Sequence, residues 1–238
     1  MTNRLLAVFF LAGALVLAPA RGAEGVTVSP ASAESASILP WRVVVCASGL
    51  IYWGGVLFQA RRVRRKIGRM PNLRPKGTKE RLLWLGWMIV VFGWIAQPFF
   101  VSGHAPAGSA FGLLPQLTDP AALVAGSLLI VGGYLGTLWC YAAMGAAWRI
   151  GIDTEGSTSL VQSGPYRRMR HPIYSFQMVM LVGAAVLLPT PVSFAILVLH
   201  FICASIKASD EEKHLRGVFG EEYRTYMTRS GRFAPKCC

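Results

Sequence analysis

Apolar and polar positions along this chain segregate into long blocks instead of alternating at short period. After Arg4 comes a 14-residue apolar run; residues 38–60 then hold 23 positions with one charge, Arg42. Residues 82–101 hold 20 uncharged positions, 121–148 hold 28, and 176–206 hold 31. At about 1.5 Å per residue, roughly twenty residues cross a hydrocarbon core of about 30 Å, so each block predicts membrane-spanning helix. The last block carries Pro189-Thr190-Pro191 at its middle. Prolines and the residues before them break helix, so this block is read as two helices in a hairpin, the first starting at about Pro172.

The basic residues orient these blocks. Of 24 Lys and Arg, ten lie in Arg61–Arg81, four in Arg149–Arg170 and seven in Lys207–Lys236, whereas Arg21–Ser37 and Ser102–Pro120 share one. The positive-inside rule makes the three rich segments cytoplasmic. Both ends of 176–206 then lie on one side, and an even number of crossings follows. At the amino end the apolar run closes on Ala18-Pro19-Ala20, the pattern of a secretory signal. The expected fold is an all-α, multi-pass transmembrane bundle of five spans after cleavage of residues 1–20, or six if that run is retained. Residues 38–238 form one membrane domain, in a bacterial inner membrane with the carboxyl terminus cytoplasmic.

Composition agrees, with 53% apolar and 15% charged residues. The net charge of +13 adds no nucleic-acid partner, because Arg61–Arg81 has no aromatic residue interleaved with its charges; membrane lipid headgroups are the expected contact. Cys46, Cys140 and Cys203 are isolated in apolar blocks, and Cys237-Cys238 ends the tail, so neither a metal site nor a disulfide framework is expected. His104 and His200 have no neighbour that makes either a ligand. Asp119-Pro120 reads as a helix start. Gly132 and Gly136 suggest a close-packing face on the third span. No glycine-rich nucleotide loop and no Gly-x-Ser-x-Gly elbow occurs.

Two polar elements remain. In GPYRRMRHPIYSF, residues 164–176, Arg167, Arg168, Arg170 and His171 gather at a helix amino terminus, which favours anions. In KASDEEKHLRGVFGEEYRTYMTRSGRFAP, residues 207–235, the acids Asp210, Glu211 and Glu212 follow the hairpin. Leu215, Val218, Phe219, Tyr223 and Tyr226 fall near helical spacing there, interrupted by Gly220. A hairpin returns to its starting side, so the two elements are expected to share one pocket. Arginines suit a carboxylate, acids an ammonium or ribose hydroxyls, and tyrosine faces a sulfonium; S-adenosylmethionine carries all of these groups.

Ser163–Tyr174 with Glu211–Pro235 resembles the isoprenylcysteine carboxyl methyltransferase and phospholipid methyltransferase family, and Ala146–Asp153 resembles the variant in its bacterial members. The resemblance covers about Gly145–Pro235. It implies an S-adenosylmethionine-dependent membrane methyltransferase with a lipophilic or small membrane-accessible acceptor, an isoprenylcysteine-like one favoured. It carries over Tyr166, His171, Pro172, Tyr174, Glu211, Tyr223 and Tyr226 as cofactor-binding residues and Arg170, Glu212 and Arg232 as catalytic ones, with Pro235 closing the pattern. Family members often carry glycine where this chain has Phe176, which is expected to narrow or reshape the pocket. A carboxylate acceptor needs orientation by Arg170 or Arg232; a thiol or amine acceptor needs Glu212 or His171 as base. The competing readings are an NADPH-dependent membrane reductase of the sterol reductase kind and a non-catalytic lipid-binding protein.

Overall fold

The computed structural model describes residues 30–68, 77–101, 109–114, 120–148 and 159–236. These form five α-helices: α1 (Pro30–Ile67), α2 (Thr78–Phe100), α3 (Pro120–Met144), α4 (Pro172–Leu187) and α5 (Pro191–Arg229). Short 3₁₀ turns occupy Gly145–Ala147 and Gly164–Arg167. The signal-like segment, His104, Asp119, residues 149–153 of the Ala146–Asp153 motif and Cys237-Cys238 lie outside the described residues.

Among the described residues four stretches are long and apolar enough to cross a membrane: Pro40–Lys66, Thr78–Phe100, Ala121–Met144 and Pro191–Arg229. Their outward faces are apolar as well. Phe92, Phe99 and Leu128 are 65%, 71% and 66% exposed, a surface suited to lipid. The protein is an integral, multi-pass membrane protein. The fifth apolar helix, α4, has 16 residues and so reaches only about 24 Å. By contrast α5 has 39, more than a bilayer needs; roughly the first twenty cross the core, and residues 210–229 continue beyond it.

The expected hairpin is present, with α4 ending at Leu187 and α5 starting at Pro191. Thr190 caps α5, its hydroxyl accepting from Ser193 N at 3.1 Å, and Pro191 takes the first position, where a missing N–H costs nothing. Backbone bonds from Leu114 N to Pro189 O (2.9 Å) and from Val192 N to Ala110 O (3.1 Å) hold the hairpin turn against residues 109–114. At the other end of the molecule, Arg64, Arg65 and Lys66 finish α1 where cations complement the helix dipole.

Helix α3 lies along α4, and α2 along α5. The close-packing face of α3 differs from the expected one. Gly132 faces open space, whereas a Cβ on Gly126 would lie 2.9 Å from Gly183 O and one on Gly133 2.6 Å from Phe176 O. Gly136 does serve, against the Phe176 ring. The face is therefore Gly126, Gly133 and Gly136, because spacings of seven and three keep to one side of a 3.6-residue helix and Gly132 falls off it.

Candidate active site

Just before α4, the chain is held by its own tail. Met169 and Gly231 form a parallel bridge. Arg170 N donates to Gly231 O at 2.8 Å, His171 N to Arg232 O at 3.1 Å, and Gly231 N to Arg168 O at 2.9 Å. Gly231 is needed for the tail to turn back on itself here, since a Cβ there would sit 2.1 Å from Ala234 O. Gly164, with φ of 57°, opens the 3₁₀ turn that leads into the segment, a left-handed conformation that glycine adopts without strain. Tyr226 Oη donates to Tyr166 O (2.6 Å) and also lies 3.1 Å from Met169 O. Residues about sixty apart in sequence thus meet on one rim, as the even number of crossings requires.

A chain of charges fixes the side chains. Glu212, 1% exposed, accepts from Arg170 Nε at 2.8 Å and from Arg232 Nη2 at 2.6 Å and Nε at 3.2 Å. Arg170 is also bound to the carbonyls of Ser230 and Met227. His171 sits between two carboxylates, Nδ1 3.3 Å from Glu211 and Nε2 3.4 Å from Glu212. Tyr174 donates to Glu211 at 2.8 Å and stacks on His171. Burial alone pushes the Glu212 carboxyl up, but bonds from His171, Arg232 and Arg170 overcome it and hold the group well below the usual carboxylate range. For His171 burial pulls the imidazole down, and the two carboxylates more than reverse this, raising it above its ordinary 6.5.

This network borders a cavity of about 350 Å³, within the range of small-molecule sites. Its rim carries Arg170, His171, Lys207, Glu211 and His214; Tyr166, Tyr174, Tyr223 and Tyr226 follow. Further walls come from Tyr52 and Trp53 of α1, Trp84 and Trp87 of α2, and Tyr141 and Trp148. Tyr223 Oη is buried with no hydrogen-bond partner. Together these groups suit a ligand with both charges at one end and a cation within reach of aromatic faces.

The sequence-expected residues divide into two sets. Tyr166, Arg170, His171, Tyr174, Glu211, Tyr223 and Tyr226 line the cavity; Glu212, Arg232 and Pro172 stand behind them. Arg167 and Arg168 are exposed at the surface. Of the apolar face expected around Gly220, where φ is 52°, Tyr223 and Tyr226 are buried and Leu215 and Phe219 line the cavity, while Val218 is 48% exposed. Phe176 does not line the cavity; its ring lies where a Gly136 Cβ would be, 2.3 Å away, so a glycine on α3 accommodates it. His200 is a packed core histidine, 3.3 Å from Tyr174 O and edge-on to Trp87. Sequence reasoning missed Lys207, His214 and all the walls from α1–α3. Trp84 and Trp87, three apart on one helical face, were the available signal.

The profile of the family described as Phospholipid methyltransferase matches residues 121–222, which spans α3, α4 and the Glu211-Glu212 turn of α5. Over those residues the chain is similar to that family. Nickel-cobalt-cadmium resistance protein NccN of Alcaligenes xylosoxydans xylosoxydans is 31% identical over 116 residues, 49% of this chain and 51% of that protein. Protein-S-isoprenylcysteine O-methyltransferase B of Arabidopsis thaliana is 39% identical over 83 residues, 34% of this chain and 41% of its own length. The chain thus spans about half or less of the curated relatives it matches. A eukaryotic intramembrane Ras methyltransferase, isoprenylcysteine carboxyl methyltransferase, superposes with a TM-score of 0.51 at 16% identity, covering 98% of this chain and 83% of that one. At that identity the likeness is one of fold, and it extends over the amino-terminal half, where the sequence resemblance stops.

Proposed function

We propose that this protein is an S-adenosylmethionine-dependent membrane methyltransferase whose acceptor is a lipophilic carboxylate, isoprenylcysteine-like in outline. The observation that carries the reading is the juncture of Arg170-His171 with Glu211-Glu212 beside a cavity with aromatic walls. When bound, adenosylmethionine supplies an electrophilic methyl group. His171 and Tyr223 line the cavity that would receive its polar groups, and Glu211 is available to its ammonium or ribose. Tyr166, Tyr174 and Tyr226 offer faces to the sulfonium.

Glu212 and Arg232 act from behind, bracing Arg170 and His171. Neither candidate base is free to take a proton: Glu212 is held ionised by two guanidinium groups, and His171 is held toward its charged form by two carboxylates. This is what favours an acceptor that is already an anion. Catalysis then rests on alignment and exclusion of water. The charge distribution favours a site on the cytoplasmic side of the membrane, a bacterial inner membrane in this reading, with the tail on that side too.

The test is to incubate purified protein with methyl-labelled adenosylmethionine and membrane extract and to identify the product. A labelled lipophilic methyl ester is the expected outcome. Retention of NADPH with no retention of adenosylmethionine would overturn the reading in favour of a reductase.

A further inference from the structure

Tyr174 is the side chain on which the charged rim leans. Its hydroxyl donates to Glu211 at 2.8 Å, and its ring lies within 14° of parallel to His171, with centres 5.8 Å apart. Glu211 and His171 are themselves 3.3 Å apart, so the three side chains form a closed set, and a shift of the Tyr174 ring displaces both charged partners. The backbone of α4 fixes where this tyrosine starts, not where its phenol ends. The ring has to be held from beyond α4.

Two residues from other helices hold it. Trp87 of α2 packs its indole against the Tyr174 ring, centres 5.9 Å apart and planes tilted by 34°, within the range in which aromatic pairs attract. His200 of α5 is fully buried, with Nε2 3.3 Å from Tyr174 O, and it meets the same indole edge-on at 5.0 Å between ring centres. A carbonyl oxygen only accepts, so Nε2 carries the proton of this imidazole. Trp87, His200 and Tyr174 therefore touch one another pairwise. Joining α2 to α5 does not depend on this cluster. A Cβ on Gly86 would lie 2.6 Å from Cys203 Sγ and one on Gly93 2.8 Å from Ile196 Cδ1, and Lys79 bonds to Asp210 at 2.6 Å. The indole is thus an addition to an interface already closed on both sides of it, and it lines the cavity.

We propose that Trp87 is a positioning residue for the charged end of the cavity: acting through Tyr174, with His200 steadying both rings, it sets the Tyr174 hydroxyl against Glu211 and His171. This deepens the methyltransferase reading and rests on it. It gives α2 a part in the site, although the family profile matches residues 121–222 and α2 lies outside them. Placement matters at this scale, since a displacement of about 1 Å caused far from the reacting atoms can cost about a hundredfold. Trp87 and His200 take no chemical part in methyl transfer.

The experiment is a double-mutant cycle on the full chain in detergent, read as equilibrium binding of adenosylmethionine. Trp87→Leu removes the indole, Tyr174→Phe removes the hydroxyl that the indole places, and Trp87→Phe keeps an aromatic ring. The expected result is a loss of affinity of roughly tenfold in Trp87→Leu, shrinking to about twofold or less when the same change is made in Tyr174→Phe, with Trp87→Phe within about threefold of the wild type. His200→Leu is taken through the same cycle with the same expected non-additivity, and it carries the test if Trp87→Leu does not fold. Unchanged affinity in Trp87→Leu overturns the proposal and leaves the indole as packing. So does an equal loss in both backgrounds, which puts the indole on the cofactor directly, or a loss in Trp87→Phe as large as in Trp87→Leu. Failure of the wild type to bind adenosylmethionine sinks the methyltransferase reading itself and is read separately from these outcomes.

Discussion

Glu212 shows how one residue's role changes with its neighbours. As a letter beside Glu211 it reads as a candidate base; in the fold it is 1% exposed and held by Arg170 and Arg232. Replacing Glu212 by Gln leaves two guanidinium groups without their counterion, and breaking such a buried pair costs about 3–5 kcal/mol. A fall in the melting temperature of the detergent-purified protein, with loss of adenosylmethionine binding, is expected; unchanged melting would refute the bracing role. His171 adds a pH dependence. Its folded value is raised above 6.5, so its contribution is fully present below 6.5 and disappears as pH climbs through the raised value. Melting temperature should therefore decline as pH rises above 6.5, and His171→Asn should flatten that part of the profile. Glu212 works at the opposite end: its depressed value gives stability that is present above its ordinary 4.5 and is lost in acid.

Among the elements, the α3–α4 pair depends most on missing side chains. A Cβ on Gly183 would meet Gly126 O at 2.6 Å and Ile130 N at 3.0 Å, both backbone atoms that can yield only if the helices separate. Gly183→Ala is expected to destabilise by about 1–3 kcal/mol, read as earlier thermal aggregation, whereas Gly132→Ala, facing open space, should leave stability unchanged. The contrast between the two variants is the measurement. Helix existence was legible in the sequence, because twenty uncharged residues in a row have few other fates, and the hairpin break was legible from Pro189 and Pro191. The choice of Gly133 over Gly132 was not. Both fit a small-residue spacing, and only the rotation of α3 about its axis decides which one meets α4. The same holds for Phe176, whose bulk falls on Gly136 instead of in the cavity.

For the molecule as a whole, the central claim is topological: the loop before α4 and the tail after α5 lie on one side of the membrane. With cysteines introduced singly at exposed Arg168 and Arg224, a membrane-impermeant thiol reagent should label both from the cytoplasmic face alone. Labelling of the two from opposite faces would break the site apart. Much of the rim was readable beforehand, since a family motif keeps its residues in order and a hairpin returns them to one end of the molecule. The aromatic walls were not, because Tyr52, Trp53, Trp84 and Trp87 look like any residues of a spanning helix until α1 and α2 are seen beside α4 and α5. By itself the sequence determined the class of the protein and its apolar helices, both of which follow from hydropathy summed along the chain. Only the tertiary structure decided which charges touch which, which glycines let helices close, and which polar groups line the cavity unpaired, because these depend on helix rotation and on contacts between residues far apart in the chain.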